Sequence, residues 1–161
     1  MGKSRSRSSH IPKKVTFFLD ECLPYPIADA LKSFGYPIIS WYEEFKGQQG
    51  IKEPYLIQYL GAKEYTWITK DDEAKKEHES EIRTAGISVI WIRGLEREKG
   101  KPKKNNIRIK DVHRILTDKL DILETEISNS NRSLYYMLWI DTTGKPVRKK
   151  ICLETFFNTH T

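Results

Sequence analysis

Short apolar runs rich in β-branched and aromatic residues punctuate the first hundred positions. They fall at Val15–Leu19 (VTFFL), Ile38–Trp41, Tyr65–Thr69 (YTWIT) and Ile87–Ile92 (ISVIWI), and each predicts a buried strand. Between them lie segments of helical length. Residues 26–34 have Pro26 in the first turn and Gly35 as their stop. A second helix opens at Glu53-Pro54, after a loop containing Gly47 and Gly50, with Tyr55, Leu56, Tyr59 and Leu60 as its inward face. The charged stretch 72–85 closes at Gly86. Strand and helix in strict alternation predict an α/β fold, a Rossmann-like open parallel sheet with flanking helices and right-handed crossovers.

The pattern changes after Ile92. Residues 93–110 hold eight basic and two acidic side chains together with Gly94, Gly100 and Pro102, which reads as a loop. Val112, Ile115, Leu116, Leu120, Leu123 and Ile127 then recur at helical spacing and predict a helix over Ile109–Ser128. Leu134–Ile140, a turn over Asp141–Lys145 with Gly144, and Val147–Leu153 predict a terminal hairpin. No internal repeat is visible. The longest apolar runs are far short of a bilayer span, so no membrane partner is expected.

Composition narrows the picture further. The chain has 161 residues, the size of one domain, and a formal charge of +6. Five of those excess positive charges (Lys3, Arg5, Arg7, Lys13 and Lys14) lie in the first fourteen residues, which contain no acid. The basic character is therefore mainly a property of the tail. We expect residues 1–14 to be a disordered basic tail and 15–161 to form a single domain. Gly2-Lys3-Ser4 resembles the end of a P-loop but lacks its upstream glycine and strand. Cys22 and Cys152 make no CxxC or zinc pattern, which suits a reducing cytoplasm. The four histidines are scattered, and serine-nucleophile elbows and GxGxxG are absent.

The remaining chemistry is acidic. Ligands of an open parallel sheet bind outside the carboxyl ends of its strands. Asp20 and Glu21 leave the first strand, Asp71 and Asp72 leave the third, and Glu53 opens the helix between them. If the first and third strands are neighbours, these carboxylates share one pocket. Crowded carboxylates favour a hard cation such as Mg²⁺ or Mn²⁺, which can activate water against a phosphodiester. Each of these residues equally suits a turn or a helix cap. A phosphoacceptor receiver domain also gathers aspartates at strand ends, but expects a lone Asp where this chain has TKDD.

FFLDECLP, GIKEPYLI, WITKDDE and AGISVIWIRG, spread over about residues 15–95, resemble the PIN-like domains of bacterial and archaeal toxins. The following helix and hairpin resemble the C-terminal part of the VapC-type subgroup. The resemblance implies a metal-dependent endoribonuclease, the toxin of a toxin–antitoxin pair, with RNA as substrate, a cognate antitoxin as partner and pairing into a homodimer. By motif, Asp20 matches the first-strand acid, Glu21 the second acid of the LDE motif, Glu53 the helix acid and Asp71 the strand-end acid, with Asp72 as a fourth. Cys22 stands where the family usually has Asn, and Glu53 where it more often has Asp. Those departures leave room for a catalytically degenerate module that binds RNA or protein.

Lys70, inside the T-K-D match, is a candidate to hold the scissile phosphate, a role a compact ammonium fills well. Arg93 ends the fourth strand and is a second phosphate candidate. Arg97, Lys99, Lys101, Lys103 and Lys104 form a basic run suited to an RNA backbone, or simply to solvent. His78 is expected to be exposed. Trp41, Tyr42, Trp67 and Trp91 are expected in the core rather than as base-stacking platforms, with Trp41-Tyr42, at a strand end, the better candidate for stacking a base.

Overall fold

The protein is described by a computed structural model covering residues 11–46, 48, 51–71, 77–98, 101–102 and 107–153, with 96–98 and 101–102 described by backbone alone. Residues 1–10 of the expected 1–14 tail, and Gly47, Gly50, Asp72, Lys99, Lys103 and Lys104, lie outside that set. So do the side chains of Arg97 and Lys101.

In chain order the elements are β1 (Thr16–Leu19), α1 (Tyr25–Ser33), β2 (Ile38–Ser40), α2 (Trp41–Phe45), α3 (Glu53–Lys63), β3 (Tyr65–Thr69), α4 (Glu79–Ala85), β4 (Val89–Ile92), β5 (Glu96–Glu98), β6 (Lys101–Pro102), α5 (Ile109–Ser128), β7 (Tyr135–Ile140) and β8 (Pro146–Ile151). Six strands form one sheet in the order β2-β1-β3-β4-β7-β8. All neighbours run parallel except β7 and β8, the terminal hairpin. β5 and β6 make a separate two-stranded antiparallel ribbon where the sequence predicts a loop. The expected α/β fold, with an open, mostly parallel sheet and flanking helices, is the fold observed.

Period-two alternation sorts the strand side chains onto two faces. Phe17, Leu19, Ile68, Ile90 and Leu138 point to the face covered by α1 and α5, where Leu31, Ile115, Leu116 and Leu123 complete one core. Phe18, Trp67, Val89 and Trp91 point to the opposite face, against Leu56, Ile57, Leu60 and Ile82 of α3 and α4. Burial on both faces is why these strands are continuously apolar. At one edge of the sheet β2 is only three residues long. At the other, β8 carries Arg148, Lys149 and Lys150. The N–H of Lys13 donates to the carbonyl of Ser128 at 3.1 Å, and the Ser128 hydroxyl donates to the Lys13 carbonyl at 2.7 Å, so the chain enters β1 beside the end of α5.

The strand order sets the position of any site. The connection from β1 leads outward to β2, and the next leads back across to β3 on the other side of β1. The reversal opens a crevice at the carboxyl ends of β1 and β3. Among the described residues, no helix is long and apolar enough to cross a membrane.

Candidate active site

Leu19 pairs with Ile68, and the N–H of Asp20 donates to the Ile68 carbonyl at 2.9 Å, so β1 and β3 remain in register to their last residues. Asp20 follows β1 and is 8% exposed. Its carboxylate accepts from three donors: the Glu21 N–H on Oδ1 at 2.8 Å, the Thr69 hydroxyl on Oδ2 at 2.6 Å and the Cys22 thiol on Oδ2 at 3.5 Å. Thr69 links the two strand ends. It donates to Asp20 while its oxygen accepts the Asp71 N–H at 3.1 Å.

The electrostatics of this knot are unbalanced. Burial raises the Asp20 pKa above the ordinary aspartate value; the hydrogen bonds from Thr69, Glu21 and Cys22 oppose it, and the charge of Asp71 adds to it. The balance is a net rise. Burial, together with the charge of Asp20, also pushes the Cys22 thiol up to about 12, so at neutral pH Cys22 is a protonated donor and no nucleophile.

The structure brings some of the expected residues together and leaves others apart. Asp20 and Asp71 share the crevice, as adjacency of the first and third strands requires. Glu21 is exposed on the rim of the same cleft, and Lys70 sits between Thr69 and Asp71, half-buried. Glu53 opens α3, but its Oε2 lies 4.0 Å from Nε2 of His78. Among the described residues, no three His, Cys, Asp or Glu side chains converge as a metal ion would need. His78 is not the exposed residue expected from its charged surroundings. Its side chain is 14% exposed, with Glu77 and Glu81 at 3.9 and 3.8 Å in addition to Glu53. Arg93 follows β4, but its side chain is buried, and its backbone N–H donates to the Leu138 carbonyl at 2.8 Å. Trp41, Trp67 and Trp91 are in the core as expected, but Tyr42 is not: it is exposed, because it falls in the first turn of α2 rather than in a strand.

A cleft of about 400 Å³ adjoins Asp20, lined also by Glu21, Cys22, Tyr25, Trp41 and Tyr42. Two contributors to this region escape a reading of acids alone. Thr69 shows only as the first letter of T-K-D, and its position as the last inward residue of β3 is the signal. Ser40 caps α2 by accepting the Glu43 N–H at 3.1 Å. The Ser-x-x-Glu spacing at 40–43 is a helix-start signature that marks it.

In an open α/β sheet, ligands bind outside the carboxyl ends of the strands at the topological reversal, which is where Asp20 and Asp71 lie. Residues 15–94, just under half of the chain, match a family model described as "PIN like domain". Such domains are generally nucleases, hydrolases of the phosphodiester bond. No curated protein and no solved structure matches the chain.

Proposed function

We propose that the protein is a divalent-metal-dependent endoribonuclease. The observation that carries this reading is the pairing of Asp20 and Asp71 across the β1–β3 crevice, with burial and mutual repulsion both opposing ionisation of Asp20. That donor set fits a hard cation: the ligands are carboxylate oxygens, and a nearby positive charge relieves the repulsion. Asp20 and Asp71 would hold Mg²⁺ or Mn²⁺; Glu21 and Glu53 would join only by moving toward them, since no three such side chains converge among the described residues. When bound, such an ion supplies an acidified water and neutralises phosphate charge.

The chain's own residues do the rest. Thr69 orients the Asp20 carboxylate, and the Cys22 thiol supports the same oxygen. Lys70 offers its ammonium to a phosphate at the edge of the crevice. The likeness of the LDE and TKD motifs to toxin PIN-like domains supports a place in a toxin–antitoxin pair, with a small antitoxin as partner, in the cytoplasm.

The test is cleavage of a mixed cellular RNA pool with Mg²⁺ or Mn²⁺, alongside Asp20→Asn and Asp71→Asn. Cleavage that is lost with EDTA and falls at least about 100-fold in both variants, as removal of a charge-stabilising group does, supports the reading. Undiminished cleavage by folded Asp20→Asn overturns it. Absence of metal-stimulated cleavage by the folded parent points instead to a binding module, the reading favoured by the lack, among the described residues, of three side chains placed to hold an ion.

A further inference from the structure

Tyr25 and Tyr42 stack on one another beside Asp20. Their ring centroids are 4.7 Å apart and their planes 21° from parallel. Tyr25 is 48% exposed and Tyr42 56% exposed, yet both line the cleft that contains Asp20. A core aromatic pair hides its faces, whereas this pair leaves flat apolar surface in water at the mouth of an acidic crevice. Exposed aromatic side chains of that kind are how proteins hold unpaired bases.

The pair is also held in place from both sides. Tyr25 opens α1, whose first turn is fixed by Pro26. Tyr42 stands in the first turn of α2, between buried Trp41 and Glu43. Ser40 caps that turn, and Lys32 of α1 donates to both carboxylate oxygens of Glu43, at 2.6 and 2.8 Å. The pair spans α1 and α2, and the rings already stack on one another without a ligand. Preorganisation of this sort lowers the cost of binding.

We propose that the Tyr25–Tyr42 pair is a stacking subsite for one unpaired nucleobase of an RNA strand whose backbone passes Asp20. The subsite rests on the ribonuclease reading for its substrate, but binding tests it without cleavage. The same cleft is lined by Asp20 and Glu21, so a strand whose base is seated there passes the acids. A duplex offers no free base face, so the subsite selects single strands without hydrogen-bond readout.

The experiment is fluorescence anisotropy in EDTA, with an end-labelled oligouridylate and an abasic ribose-phosphate oligomer of the same length. The parent protein should prefer the base-bearing oligomer by about 5- to 150-fold, the range of one stacked base. Tyr42→Ala and Tyr25→Ala should lose that preference while still binding the abasic oligomer as the parent does. Tyr42→Trp should retain it. Phe34→Ala removes an exposed aromatic at the far end of α1, about 13 Å along the helix, and should leave it unchanged. Equal affinity of the parent for the two oligomers, including no measurable binding of either, overturns the subsite. So does an unchanged preference in Tyr42→Ala. Loss of cleavage in Asp20→Asn with the base preference intact separates the subsite from the catalytic reading.

Discussion

Burial disfavours the Asp20 anion, and three hydrogen-bond donors only partly compensate, so its folded pKa lies above the ordinary value of 3.8. The sign of the consequence follows from linkage. A carboxyl whose pKa is raised on folding stabilises the native state most when protonated, at low pH. That contribution is lost as pH rises through the folded pKa. Asp20→Asn removes the charge and keeps an acceptor for the Glu21 N–H. The variant should therefore be more stable than the parent at pH 7, with a margin that shrinks as pH falls toward 4. Thermal melts of both proteins across that interval check it, and a margin independent of pH would show that Asp20 is not held as described. Thr69 bears on the same balance, because its hydroxyl lowers the Asp20 pKa. At this scale the sequence was informative about which acids matter and silent about which meet. Asp20 and Asp71 follow strands that prove adjacent, so their meeting was legible once that adjacency was supposed. Glu53 occupies a helix start, and its distance from the crevice depends on the path of the loop before α3, which no local pattern encodes.

Between neighbouring elements the fit is set by small residues and caps. Gly61 of α3 packs against α4 so closely that a Cβ there would lie 3.0 Å from both the Cβ and the carbonyl oxygen of Ala85. The helix backbone on the far side is not a flexible side chain and has little room to yield. Gly61→Val should cost about 1–3 kcal/mol of stability, as overpacking of a tight contact does. Denaturant titration checks this, and an unchanged midpoint would mean the two helices separate freely. α5 was legible to the residue, because twenty residues carry several turns of apolar repeat. α2 was not: five residues contain barely one turn, and Trp41 reads equally well as the end of the preceding strand. The β5–β6 ribbon escaped for the same reason, since two or three residues among alternating charges show no period.

For the molecule as a whole, the PIN-like match ends at residue 94, but the core does not. β7 pairs with β4 along four residues, and α5 supplies Val112, Ile115, Leu116, Leu120 and Leu123 to the core beneath β1, β3 and β4. A fragment ending near residue 95 would leave the α5-facing side of that core and the outer edge of β4 in water. Residues 11–95 alone should therefore lack a cooperative thermal transition, whereas the full chain has one. Circular dichroism on both settles it, and a sharp transition in the fragment would mean that the last third is an appendage.

The two margins of the sheet carry a different consequence. A strand margin ordinarily offers unpaired N–H and C=O groups on which a neighbouring molecule can build. Here one margin is a three-residue β2 and the other is β8, with Arg148, Lys149 and Lys150 in succession. Short length limits the first as a template, and clustered like charge repels a second copy at the other. Strand addition is thus opposed at both margins of the six-stranded sheet.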